Sequence, residues 1–156
     1  MINIKKISIV IFLFLQSCME PDTEKLWDIS IENIFETKGF ARSVIVEGSR
    51  AYVAAGQSGT QIWDLEENTL LKDFTGYEEG GTFLEFQDLA LIGRDPVNSL
   101  LFLSESNQDV KIFHLDETDS LIYRNTIMSA RTKDFVSFPS IQDQFVMYSA
   151  DNDDGL

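Results

Sequence analysis

The chain has one cysteine, one histidine, three prolines and nine glycines in 156 residues. One cysteine excludes a disulfide scaffold and a four-cysteine zinc site. So little proline and glycine excludes collagen-like and other Gly/Pro-rich classes. A Ser-His-Asp triad would have to use the one histidine. Basic residues are also scarce, with 12 Lys+Arg against 26 Asp+Glu and a formal charge of −14. Phosphate contact needs a basic surface, so nucleic acid is excluded as a partner. What remains is 44% hydrophobic and 24% charged. That composition belongs to a folding chain, and the length predicts one domain with a buried core.

The first residues carry the clearest address. Lys5 and Lys6 form a short basic start, and Ile7 to Leu15 is apolar except for Ser8. Gln16, Ser17 and Cys18 follow. A basic start, a short apolar stretch and a small residue before the cut describe a secretory signal. The stretch is too short to span a membrane, which takes about 20 apolar residues.

Leu15-Gln16-Ser17-Cys18 resembles the lipobox of bacterial lipoproteins. Leu15 falls at −3, Ser17 at −1 and Cys18 at +1, while Gln16 departs from the small or apolar residue usual at −2. The resemblance implies that residues 1–17 are a signal peptide and that Cys18 is acylated on its thiol and on its new amine. Cysteine suits the role because a thiolate is the stronger nucleophile. Each buried methylene contributes about 0.8 kcal/mol, so several acyl chains hold a protein at a membrane almost permanently. Cys18 to Lys25 lacks an apolar pattern and contains Pro21, so it reads as a lipidated tether. Met19 stands where an Asp would signal inner-membrane retention, so the resemblance favours the outer membrane.

Residues 26–156 read as one all-β domain. Short apolar runs alternate with Gly, Asn, Asp and Ser turns, and no window shows a convincing 3.6-residue period. Ser43–Val46, Ala51–Ala55, Gln61–Leu65 and Leu70–Phe74 form a first set. Asp88–Ile92, Leu100–Ser104 and Lys111–Leu115 repeat it, and Asp134–Phe138 with Phe145–Tyr148 begin a third copy. Starts spaced about 45 residues apart have the length of a four-stranded propeller blade. The blade-like units are placed at about 39–84, 85–131 and 132–156. Leu26-Trp-Asp-Ile29 echoes Ile62-Trp-Asp-Leu65 and suggests strands of an incomplete blade.

The first copy carries Gly39, Val46, Gly48, Ala51-Tyr-Val-Ala54, Gly59, Ile62 and Asp64. This pattern resembles the LVIVD-type repeat of secreted and surface proteins, which implies a β-propeller fold and no shared catalytic residues. The second copy departs from it with Phe102 and His114, and the third stops at Asp154-Gly155-Leu156. About three blades are too few for a ring, which takes at least four. The expectation is therefore a partial propeller of about two and a half to three four-stranded antiparallel blades. It would belong to a truncated chain or to an oligomer that completes the ring.

Few residues suggest chemistry. His114 lies in a strand at the position of Asp64 and reads as structural. Asp151-Asn-Asp-Asp-Gly155 invites a calcium site through Asp151, Asp153 and Asp154, but its composition also suits a hairpin turn. Glu66-Glu67, Glu78-Glu79 and Asp153-Asp154 read as solvated surface. Gly80-Gly81 lacks the lysine of a phosphate loop and the helix that would follow it, so it reads as a flexible connection between blades. Trp27, Trp63, Phe102 and Phe113 read as packing between blades. No cofactor is expected, and no catalytic residue is assigned. The reading is an envelope-anchored lipoprotein presenting a binding or scaffolding surface to an envelope protein or a glycan. Its loops at Gly56–Gly59, Asn107–Asp109 and Asp151–Asp154 would line the mouth. A calcium-dependent propeller hydrolase and a purely structural envelope component are the alternatives.

Overall fold

The computed structural model describes residues 30–128, 132–139 and 144–151. The chain divides into two compact units, Met1–Ile34 and Phe35–Leu156. Of the first, only residues 30–34 are described, and they carry no regular secondary structure. The expected signal peptide at 1–17, the expected tether at 18–25, Cys18 and the Leu26–Ile29 echo with Trp27 all lie outside the described residues.

The second unit is all-β, with no helix among the described residues. β1 (Ser43–Glu47), β2 (Arg50–Ala54), β3 (Thr60–Asp64) and β4 (Thr69–Phe74) form a four-stranded antiparallel meander in chain order. β5 (Gly76–Glu79) and β6 (Thr82–Glu85) form a separate hairpin. β7 (Leu89–Asp95), β8 (Leu100–Glu105), β9 (Val110–Leu115) and β10 (Leu121–Ile127) form a second four-stranded sheet. β11 (Thr132–Pro139) and β12 (Phe145–Asp151) begin a third. The fold is thus a partial propeller of antiparallel blades, with β7 packed beside both β1 and β11.

The central strands are buried because both of their faces are covered. β2 is Arg-Ala-Tyr-Val-Ala and β8 is Leu-Leu-Phe-Leu-Ser-Glu, and each is buried at every position after its first. The two central strands of the full blades repeat in register. Ala51 pairs with Trp63 as Leu101 pairs with Phe113. Leu65 donates its N–H to the Ser49 carbonyl at 2.7 Å, and Leu115 does so to Ser99 at 2.8 Å. Both outer strands carry a bulge at the same place, at Leu71 in β4 and at Arg124 in β10.

These pairings define two faces. The front carries Ala51, Val53 and Trp63 in the first blade and Leu101, Leu103 and Phe113 in the second. The back carries Tyr52, Ala54 and Ile62 in the first and Phe102, Val110 and Ile112 in the second. The first blade's back packs on the second blade's front in one cluster, which Tyr77 and Phe86 complete. Phe102, Val110 and Ile112 pack against Phe135 and Met147 of the third unit. Trp63, Ala51 and Val53 pack with Phe35, Leu65 and Leu70. Phe102 and Phe113 therefore do pack between blades, whereas Trp63 packs on Phe35 at a centroid distance of 5.6 Å.

Three features depart from the sequence reading. Gly80-Gly81 is not a flexible connection. It is the tight turn of the β5–β6 hairpin, with φ of 58° and 82°. Two successive positive φ angles suit the right-handed twist of a hairpin, and glycine adopts them without steric cost. The first unit's expected boundary at 84 falls inside β6. β10, half exposed and bulged, has no counterpart among the predicted strands.

Candidate functional site

In an antiparallel meander the starts of the inner strands and the ends of their neighbours meet at one end of the blades. Arg42, Asp88 and Thr132 stand at or just before the starts of β1, β7 and β11. Gly56, Ser106 and Asp151 stand at or just after the ends of β2, β8 and β12. The Gly56–Gly59 and Asn107–Asp109 loops both lie at this end. Of Asp151–Asp154 only Asp151 is described.

The seam between the first two blades is closed by backbone and by charge. Gly56 and Leu89 exchange N–H···O bonds at 3.1 and 3.0 Å. Asp88 Oδ1 accepts from Arg42 Nη2 at 2.9 Å, and its Oδ2 accepts from the Ser106 hydroxyl at 2.8 Å. Arg42 Nη1 also lies 3.4 Å from that hydroxyl oxygen. Behind this pair is the buried carboxylate of Glu105. Its Oε1 accepts the Gln87 and Asp88 N–H groups, and its Oε2 pairs with Lys111 Nζ at 3.0 Å. Every charge in this network has a partner, as a buried charge requires.

A cavity of about 370 Å³ opens over the seam, lined by Phe40, Arg42, Gln57, Ser58 and Asp88 among others. Phe40 is 86% exposed at its rim. A smaller cavity of about 190 Å³ lies over the next seam, lined by Ser106, Asn107, Thr132 and Lys133 among others. Ser106 and Asn107 hold the positions that Gly56 and Gln57 hold one blade earlier, and Asn107 Oδ1 accepts from Lys133 Nζ. Each of the two seams thus carries its own set of polar side chains. It offers donors and acceptors to a bound group, and the larger cavity falls within the usual size of ligand pockets.

Among the described residues, His114 and the paired carboxylates take strand, turn or surface positions. His114 is half buried in β9 between Leu100 and Ile122, and its Nδ1 has no partner among the described residues. Asp64, at the same blade position, accepts the Glu66 and Glu67 N–H groups at 2.9 Å and holds the β3–β4 turn. In the second blade Asp116 takes over that work, two residues after His114. It accepts the Thr118 and Ser120 N–H groups at 2.8 Å, and the Ser120 bond leads in holding its carboxyl below the usual range. The side chains of Glu66, Glu67, Glu78 and Glu79 are exposed. Asp151 Oδ1 accepts from the Ser149 hydroxyl at 2.8 Å, while Asp153 and Asp154 lie outside the described residues. Among the described residues no three His, Cys, Asp or Glu side chains are grouped to hold a metal ion.

Arg42, Asp88, Glu105 and Lys111 escaped the sequence reading. The available signal was a charged residue ending the apolar run Leu100–Ser104.

No family model matches the chain. A stretch of 100 residues is 23% identical to a protein of Xylella fastidiosa (strain 9a5c) described as "Probable malate:quinone oxidoreductase". The match covers 64% of this chain and 17% of that protein, so this chain spans under a fifth of its relative's length. No helix among the described residues is long and apolar enough to cross a membrane.

Proposed function

We propose that this chain is a bacterial lipoprotein, held at the cell envelope through acylated Cys18, whose propeller-like domain presents the repeated seam end as a binding surface. The observation that carries the address is Leu15-x-Ser17-Cys18 directly after a basic and apolar start. A polar stretch from Met19 to Lys25 then separates the acylated residue from the domain. The strongly acidic charge suits a surface that stays in water above a membrane.

The binding surface is assigned to the end that carries Arg42, Gln57, Ser58 and Asp88. There the cavity supplies hydrogen-bonding groups beside one exposed aromatic ring, a combination that suits an envelope protein or a glycan. The LVIVD-type resemblance agrees with a surface protein of this architecture. The outer membrane is the favoured location, since Met19 follows the cysteine.

The test is expression of the full chain in a two-membrane bacterium, with fractionation of the cells. The protein is expected in the detergent-soluble membrane fraction, and Cys18→Ser is expected to move it out of that fraction. An unchanged distribution of the serine variant would remove the anchoring claim.

A further inference from the structure

The β5–β6 hairpin turns one face into the protein and one face out. Tyr77 points inward, 6% exposed, and packs its ring on Phe86, Phe113 and Tyr123. Side chains alternate along a strand, and directly paired residues share a face. Gly76 pairs with Glu85 and Glu78 pairs with Phe83, so these four share the opposite face. Phe83 is 55% exposed, and its ring closes over Gly76, where a Cβ would stand 2.8 Å from the ring's Cζ. Only a glycine at 76 leaves room for the ring there.

Between this hairpin and the start of β10 lies a cavity of about 380 Å³, within the usual size of ligand pockets. Three aromatic side chains line it, Tyr77, Phe83 and Tyr123, and the tyrosine rings stand 5.3 Å apart. Its one charged lining residue is Glu78, and Arg124, the next residue of β10, is not part of the lining. None of its residues lines the cavity at the seam end. The hairpin carries Glu78, Glu79 and Glu85 and no basic residue. Glu78 and Glu85 are exposed and have no ion-pair partner among the described residues.

Aromatic rings and one unpaired carboxylate around a cavity are the chemistry that recognises an organic cation. A ring face carries the negative part of the ring's quadrupole, so an alkylammonium ion is drawn to it. The carboxylate adds Coulomb attraction, and the chain's formal charge of −14 draws cations from a distance. A bare metal ion fits poorly, because a hard cation such as calcium takes six or more oxygen ligands and one lining carboxylate falls far short. The rings favour a cation that carries its own apolar surface.

We propose that this cavity binds a free quaternary alkylammonium ion of about the size of choline, held against Phe83 and the tyrosine rings with its charge beside Glu78. The methyl groups of such an ion meet the rings, and its charge needs no hydrogen-bond donor or acceptor in the site. A negatively charged ligand would meet the Glu78 and Glu85 carboxylates with no cation in the lining to offset them. The site is separate from the binding surface assigned to the seam end and does not depend on it.

The test is saturation-transfer NMR of the full chain in a non-ionic detergent, with choline chloride as the probe. Choline is expected to bind with a dissociation constant of about 10 mM or tighter. Its neutral isostere dimethylbutanol, with a carbon in place of the nitrogen, is expected to bind about threefold or more weakly, because it fills the same space without the charge. Phosphocholine is expected to bind more weakly than choline as well, since its phosphate adds negative charge beside Glu78. Phe83→Ala and Glu78→Gln should each weaken choline binding by about threefold or more. Glu66→Gln removes the same charge from the β3–β4 turn and should leave binding unchanged. Phe83 and Glu78 are both exposed, and far-UV circular dichroism checks that each variant keeps its β signal. No binding of choline, an isostere or phosphocholine that binds as tightly as choline, or folded Phe83 and Glu78 variants that bind like the wild type would each overturn the proposal.

Discussion

Gly93 lies directly under the ring of Phe135, so close that a Cβ on residue 93 would run into the ring's Cε2. Gly93 is the back-face position of β7, where the first blade has Ile45. The missing side chain is what lets the third unit seat an aromatic ring on the second blade. Gly93→Ala should therefore destabilise the domain by about 1–3 kcal/mol, the range for overpacking a tight site. Chemical denaturation followed by circular dichroism measures it. An unchanged midpoint would mean that the third unit does not pack there.

Phe113 is fully buried where the two full blades meet, within about 6 Å of the Tyr77, Phe86 and Tyr123 rings. Phe113→Ala should cost about 3–5 kcal/mol through lost transfer energy and a residual cavity. The same denaturation experiment reads it, and a loss under about 1 kcal/mol would contradict the stacked arrangement.

Glu105 and Lys111 behave differently from Arg42 and Asp88. The first pair is buried, with side chains 8% and 13% exposed, and the Glu also holds two backbone N–H groups. Removing one partner leaves an uncompensated charge, so Glu105→Ala should cost about 3–5 kcal/mol. The second pair is 45% and 36% exposed. Arg42→Ala should change stability by no more than about 1 kcal/mol, which makes it a clean variant for testing the proposed binding surface. Equal losses from the two substitutions would refute this division.

Tyr77 sets an alkaline limit. Burial, followed by the nearby negative charge of Glu79, pushes its hydroxyl up to about 12 from an ordinary value of 10.0. The folded state favours the neutral phenol, so the contribution is fully present below about pH 10. It is lost as pH rises from there through about 12, where the unfolded chain ionises first. Stability should fall over that window, and Tyr77→Phe should flatten the fall. A pH series of thermal melts on both proteins checks it.

The blades were legible because of their central strands. Ala51–Ala55 and Leu100–Ser104 are apolar at nearly every position, as strands covered on both faces must be. The outer strand β10 was not, since Leu121–Ile127 is half exposed and a bulge at Arg124 breaks its alternation. The β5–β6 turn had a glycine-pair signature, but four exposed residues on β6 hid the strand that follows it. The loops at the seam end could be placed from their position in the repeat. Their chemistry could not, because Arg42 and Asp88 are far apart in sequence and meet only when the second blade stacks on the first. Asp116 shows the same limit: the turn-holding role of Asp64 moved two residues along the chain, leaving His114 in its old position.

The most direct measurement is mass spectrometry of the N-terminal peptide of the protein recovered from bacterial membranes. The account expects a peptide that begins at Cys18 and carries acyl groups on the sulfur and on the amine. A peptide running unbroken through Gln16, Ser17 and Cys18 with a free thiol would contradict it.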